Sequence, residues 1–266
     1  IESREEEIAY AKRHNLPTSF ISKELFSVDQ NIGHISYEGG TLENIAYTPE
    51  DKMFKLTVSA EQAPQQSTFL DISFEQGIPK RIDGKKYNSV NLLRKLNLLG
   101  GKNGIGRVDL IEDRITGIKS RGVYESPGLT LLHLAHRELE SLTLDRETLH
   151  YKELISLRYA ELVYYGLWYS PLKDAFDAFI NATQNSVTGT IKLKLYKGNC
   201  IIVGRSSPYS LYSQELATFG KGLPTFKEIF NPKDAQGFVN FFGLPWKILS
   251  LKRHRVINFQ PKRNKK

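Results

Sequence analysis

The chain reads as an α+β fold, in which a mixed or antiparallel sheet is accompanied by long helices. Residues of alternating character gather at 54–58, 69–74 and 190–203, whereas helical periodicity occupies separate stretches at 90–99 and 126–183. That segregation, in place of strict βαβ alternation, argues against a doubly wound sheet. No repeat of solenoid length is present.

Residues 3–14 open as a helix. Ser3 and Glu6 have capping-box spacing, acids lead and bases trail as the helix dipole favours, and Asn15-Leu16-Pro17 ends the segment. Residues 18–51 carry Gly33, Gly39 and Gly40 without a hydrophobic period and are expected to be loop-rich. Strands are expected at 54–58 and 69–74, with turn chemistry at 75–84 from Gly77, Pro79 and Asp83-Gly84. The apolar face of 90–99 predicts a helix stopped by Gly100-Gly101, and 107–111 reads as a buried strand. Pro127 suits the first turn of a helix bearing Leu129, Leu131, Leu132, Leu134 and Leu139. A second helical stretch, 146–183 and broken at Pro171, places Leu149, Leu154, Leu157, Ala160, Leu162, Val163, Leu167 and Trp168 as core positions. Residues 190–203 form a hairpin around Lys197-Gly198-Asn199, and a last short helix covers 232–242 before Gly243-Leu244-Pro245.

At 266 residues with 40% hydrophobic side chains, the chain is long enough to bury a core. No apolar run approaches the ~20 residues of a membrane helix, and no basic-then-apolar leader opens it, so a cytoplasmic setting is expected; an organelle would require a lost leader. The start at Ile1, inside polar helical sequence, suggests that a further segment precedes it. Cys200, the single cysteine, rules out an intramolecular disulfide and a multi-cysteine metal site. Asn181-Ala182-Thr183 fits a glycosylation sequon, a short pattern set aside without a secretory signal. The net charge is +8, yet residues 252–266 hold seven basic side chains and no acid, so the rest carries +1, eight less seven. Nucleic-acid recognition by the body therefore has little electrostatic support. The basic terminus reads as a solvated tail, with contact to an anionic partner or another subunit as the alternative.

Two polar clusters carry the candidate chemistry. One comprises Ile111-Glu112-Asp113-Arg114 and the segment 119–128; it follows a strand and precedes a helix, and its hydroxyl, carboxylate and cationic groups suit a zwitterionic or phosphorylated ligand. A solvated connection with a helix cap is the plainer reading. The other, 27–40, combines hydroxyls and glycines that present donors to a small ligand or simply make turns. His133 and His136, three apart, with His150 as a third ligand, suggest a metal only weakly, and satisfied helix histidines are favoured. Gly101-Lys102-Asn103-Gly104-Ile105-Gly106 lacks Walker spacing and reads as a loop between helix and strand.

Taken together, the segments 106–114, 117–125 and 142–147 resemble successive motifs of argininosuccinate synthases in order and spacing. Residues 27–40 are similar to that family's hydroxyl-rich substrate loop, and 204–212 to its stretch after a late hairpin. The resemblance implies a carbon–nitrogen ligase of arginine biosynthesis that joins citrulline to aspartate while ATP, with Mg²⁺, becomes AMP and pyrophosphate. Citrulline's ureido oxygen attacks the α-phosphorus, and the aspartate amine then displaces AMP. By positional match Ser27, Ser36, Glu112 and Tyr124 bind citrulline as positioning groups, with no nucleophile or metal ligand among them. The family's Ser-Gly-Gly-x-Asp pyrophosphate loop is absent: Gly39-Gly40 and Gly100-Gly101 have neither the preceding serine nor the following aspartate. The expectation is thus a carboxy-terminal portion with no tightly bound cofactor, inactive alone. Residues 1–225 form the citrulline-binding part, and 226–266 a homotetramer-forming arm and basic tail. A non-catalytic binding or tetramerisation module is the rival reading.

Overall fold

The computed structural model describes residues 4–16, 26–217 and 231–258. In chain order these form α1 (Arg4–Arg13), β1 (Ser27–Gln30), β2 (Ile35–Glu38), β3 (Thr68–Glu75), β4 (Ile78–Ile82), β5 (Lys85–Lys86), α2 (Ser89–Lys102), β6 (Arg107–Asp113), β7 (Lys119–Glu125) and α3 (Pro127–Thr143). They continue with α4 (Arg146–Tyr164), α5 (Pro171–Thr183), β8 (Gly189–Tyr196), β9 (Asn199–Ser206), α6 (Gln214–Ala217), α7 (Pro232–Phe242) and α8 (Leu244–Asn258). The strands make two antiparallel sheets, ordered β1-β2-β7-β6 and β5-β4-β3-β8-β9, so the fold is α+β. The chain divides into two compact units, Ile1–Leu211 and Tyr212–Lys266.

The core of the first unit lies on one face of the five-stranded sheet. Alternation places Leu70, Ile72 and Phe74 of β3 on the same side as Ile191, Leu193 and Leu195 of β8 and Ile82 of β4, all buried. Against them pack Leu92 and Leu96 of α2 and Leu131, Ala135 and Leu139 of α3, spaced to line one helical face. Each fully buried Leu or Ile contributes on the order of 1.5–3 kcal/mol relative to exposure. Local signals fix the helix starts: Asn88, Asp145 and Ser170 accept backbone N–H bonds as caps of α2, α4 and α5, and prolines occupy the first positions of α3 and α5.

Several expectations are met. The helix near the amino terminus, the strand at 69–74, the helix begun by Pro127, the break at Pro171 and the hairpin at 190–203 all form. That hairpin turns on Lys197 and Gly198, both with positive φ. Ser3, Pro17 and the basic residues from Lys262 onward lie outside the described residues.

Other expectations are corrected. The loop-rich stretch contains the β1–β2 hairpin, too short and polar to show a period. Residues 54–58 form no strand: the amides of Lys55, Leu56 and Thr57 bond to one side chain, and those of Phe54 and Val58 to the Asp51 and Gly101 carbonyls, instead of a neighbouring strand. The turn chemistry at 75–84 does make turns, at Gln76-Gly77 and at Asp83-Gly84, all four with positive φ, but between them lies the unexpected β4, paired to β3 across a bulge at Ser73/Phe74. Gly100-Gly101 do not stop α2, which runs on to Lys102; a Cβ on Gly101 would lie 2.0 Å from the Leu56 carbonyl oxygen, so these glycines permit close packing. Strand β6 is exposed along most of its length because it is an edge strand. The apolar positions of α4 and the following turn are largely uncovered as well: of those expected in the core, Leu162 is buried and Leu149 half-buried, but Leu154, Leu157, Val163, Leu167 and Trp168 are exposed. Helical spacing defines an apolar face without saying what covers it. The chain also remains helical beyond Gly243, as α8.

Candidate functional site

The four-stranded sheet brings the two polar clusters together. Cross-strand partners in an antiparallel pair project to the same side, and the register runs Asp29–Ser36–Tyr124–Val108 across all four strands. Ser27 pairs with Glu38, two residues beyond Ser36, while Glu112 pairs with Ser120. Period-two alternation therefore places Ser27, Ser36, Glu112 and Tyr124, all four expected binding residues, on one face. On that face Ser36 is buried, Tyr124 and Glu112 are half-buried, and Ser27 is exposed.

The central contact is a hydrogen bond of 2.6 Å in which the Tyr124 hydroxyl donates to Glu112 Oε1. Burial first, then that bond and the negative charges of Glu112 and Glu38, hold the Tyr124 phenol well above the ordinary tyrosine range. The hydroxyl keeps its proton and directs it at Glu112, so toward a ligand Tyr124 Oη is an acceptor. The ring of His34 lies 6.3 Å from that of Tyr124, centroid to centroid.

The opposite face is buried at its centre, where Ile35, Tyr37, Val123 and Glu125 lie. Glu125 on β7 is fully buried and accepts five hydrogen bonds: from the Tyr37 hydroxyl, the Thr57 hydroxyl, and the backbone amides of Lys55, Leu56 and Thr57, at 2.6–3.0 Å. Arg107 donates to the Thr57 hydroxyl, the Thr57 carbonyl and Asp51, and lies 3.8 Å over the Phe54 ring. Arg121 forms a bidentate pair with Asp109 and donates to the carbonyls of Asn44 and Tyr47, its guanidinium holding the Asp109 carboxyl below the usual range. The segment 42–57 is thereby bound to the sheet's back.

The hairpin tip is anchored too. Asn31 Oδ1 accepts from the amides of Gly33 and His34, Asn97 Nδ2 donates to the Ile32 carbonyl, and the Ser126 hydroxyl donates to the Gly33 carbonyl. Asn97 also accepts from the Gly128 amide at the start of α3. Strand β2 is thus held in register by both core helices.

The segment 119–128 is therefore neither a ligand loop nor a solvated connection but strand β7 and a helix start, its side chains divided by alternation. Ser120 and Tyr124 join the open face, while Arg121, Val123 and Glu125 anchor the back. Expecting loops at 27–40 and 119–128 left Asp29, Glu38 and Ser120 unassigned to the open face; alternation reveals them once the strands are recognised. His133 and His136 do not converge on a metal position: His136 Nε2 bonds Gln184 at 2.9 Å and its ring packs on Phe74. Among the described residues no group of three or more His, Cys, Asp and Glu has a metal-holding arrangement, and no helix is long and apolar enough to cross a membrane. Residues 204–206 lie on β9 of the five-stranded sheet, the Ser207 hydroxyl donates to the Thr188 carbonyl, and the Leu211 amide donates to the Leu142 carbonyl.

Comparison with known proteins gives this arrangement a family. The profile described as "Arginosuccinate synthase C-terminal domain" matches residues 26–249. The chain belongs to the argininosuccinate synthase family. It is 54% identical over 253 residues to argininosuccinate synthase of Endomicrobium trichonymphae, an alignment covering 95% of this chain and 60% of that protein. With the synthase of Acetivibrio thermocellus it shares 52% over 256 residues, covering 96% and 62%, and with that of Desulforamulus reducens 55% over 251 residues, covering 94% and 61%. The chain thus spans about three-fifths of the length of these synthases and corresponds to their carboxy-terminal part.

Proposed function

We propose that the open face of the four-stranded sheet binds citrulline, and that the chain acts within an argininosuccinate synthase joining citrulline to aspartate at the expense of ATP. The observation that carries this reading is the Tyr124–Glu112 hydrogen bond on the face that also presents Ser36 and Ser27. An α-ammonium group has three N–H donors and needs acceptors. Glu112 supplies charge and lone pairs, and Tyr124, its own proton engaged, supplies another acceptor. The serine hydroxyls can donate to the α-carboxylate. None of the four needs to act as a nucleophile: citrulline's ureido oxygen forms the bond to the α-phosphorus as pyrophosphate leaves, and the aspartate amine then replaces AMP. The chain's part is to hold and orient one reactant.

ATP with its Mg²⁺, and aspartate, are assigned to the remainder of the synthase. The glycine pairs here do not suit phosphate: Gly100 meets Pro127 and Leu131, Gly101 meets the Leu56 carbonyl, and Gly39 precedes a short 3₁₀ turn. Release of pyrophosphate from ATP, citrulline and aspartate tests the assignment, comparing this chain alone with this chain plus a separately expressed amino-terminal portion of a relative. Turnover in the mixture only is expected; turnover by the chain alone would overturn the division of labour.

Assembly into a homotetramer is the second element of the reading. It is supported by the exposed apolar side chains of α7 and α8, Phe238, Phe241, Phe242 and Trp246, more than an isolated surface helix needs to display.

A further inference from the structure

Tyr124 reaches Glu112 in an unusual way for a strand residue. The two do not pair: Tyr124 stands opposite Val108, Gly122 opposite Leu110, and Ser120 opposite Glu112. At about 3.3 Å per residue, the four positions from Val108 to Glu112 correspond to ~13 Å along the strand. A strand side chain ordinarily stands roughly perpendicular to the sheet, which would aim the hydroxyl away from β6. Here the ring instead lies along β7, over the α-carbon of Gly122. A Cβ placed on Gly122 would fall 2.4 Å from the Tyr124 hydroxyl oxygen, 2.5 Å from Cε2 and 2.6 Å from Cζ. Any side chain at 122 occupies the space where the ring lies. The carbons of the ring that would clash are held between the strand and the hydrogen bond to Glu112, so the contact cannot be relieved by rotating a flexible end.

We infer that Gly122 is a positioning residue for the binding site: its missing side chain lays the Tyr124 ring flat and delivers the hydroxyl to Glu112. The glycine is not set there by backbone conformation, since its φ lies outside the left-handed region, nor by a turn, since it is in the middle of β7. Gly122 therefore fixes both the direction of the Tyr124 proton and which lone pairs of the pair remain for the substrate. The functional consequence rests on the reading that this pair binds citrulline; the positioning itself does not.

The test uses the chain with ¹³Cζ-labelled tyrosine, the Tyr124 signal being assigned by its loss in Tyr124→Phe. Glu112→Gln weakens the hydrogen bond and moves that signal. Gly122→Ala is expected to move it in the same direction, and in the synthase completed with an amino-terminal portion to raise the citrulline KM at least tenfold while the ATP KM changes less than twofold. A Tyr124 signal unmoved in Gly122→Ala, or unmoved in Glu112→Gln, overturns the inference. A moved signal with unchanged citrulline KM leaves the positioning intact and removes the citrulline reading instead. Should Gly122→Ala fail to fold, the double variant Gly122→Ala/Tyr124→Ala decides: a thermal midpoint equal to that of Tyr124→Ala supports the inference, and failure of the double variant overturns it.

Discussion

Tyr124 has one hydroxyl proton, which it keeps and donates in a hydrogen bond to Glu112; under the proposed reading, much of the site's selectivity follows from that bond. A carboxylate and a phenolic oxygen that both accept will favour a cation over an anion. Glu112→Gln keeps the shape, removes the charge and offers an amide N–H where the ligand's ammonium would sit. We expect citrulline affinity to fall by at least tenfold, about 1.4 kcal/mol, measured by calorimetry on the completed synthase; unchanged affinity would remove Glu112 from the site. Because the folded state raises the Tyr124 pKa, the stabilisation is fully present below the unfolded value near 10 and is lost as pH rises past it. Thermal midpoints measured between pH 9 and 11 should therefore fall less steeply in Tyr124→Phe than in the parent. At this scale the sequence was informative only through resemblance. The four residue positions follow from family motifs, but composition gave no reason to select Glu112 over Asp113, and the roles of Asp29, Glu38 and Ser120 depended on an alternation hidden in what read as loops.

Elements succeed or fail in the sequence according to where their partners come from. The helix begun by Pro127 and the hairpin at Lys197-Gly198 carry their own signals, a fixed φ in one and a positive-φ turn in the other, and both were legible. Residues 54–58 alternate like a strand, yet the amides of Lys55, Leu56 and Thr57 end on the Glu125 carboxylate, a partner 68 to 70 residues away that no local pattern reveals. Glu125→Gln should cost about 3 kcal/mol, since an amide in that cradle sets a donor against donors; urea denaturation with an unchanged midpoint would show that the cradle contributes little. The α3–α4 junction has a pH dependence of its own. Burial lowers the His136 pKa against the opposing charge of Glu140; the other polar groups acting on it are Gln184, Lys152 and His133. The depressed pKa means that the neutral form supports the fold, so this stability is present above about pH 6.5 and is lost as pH falls below it. His136→Gln should flatten the thermal midpoint between pH 5 and 7 relative to the parent.

At the scale of the molecule, the α+β class was legible because strands and helices are segregated along the chain. Burial was less so: Leu154 and Leu157 of α4 and the aromatics of α7 and α8 face outward, and a sequence does not distinguish a core covered by its own chain from one covered by another. If the exposed aromatics of the second unit mediate assembly, Phe241→Asp combined with Trp246→Asp should lower the sedimentation coefficient from that of a tetramer to that of a smaller species while the near-ultraviolet signature of the first unit is retained.

The proposed citrulline surface is the open face of the four-stranded sheet. Titration of the isotopically labelled chain with millimolar citrulline, followed by backbone and side-chain resonances, tests it most directly. Shifts are expected at Ser27, Ser36, Gly122 and Tyr124 and should disappear in Glu112→Gln; shifts confined to other parts of the chain, or unchanged by that substitution, would move the citrulline site elsewhere.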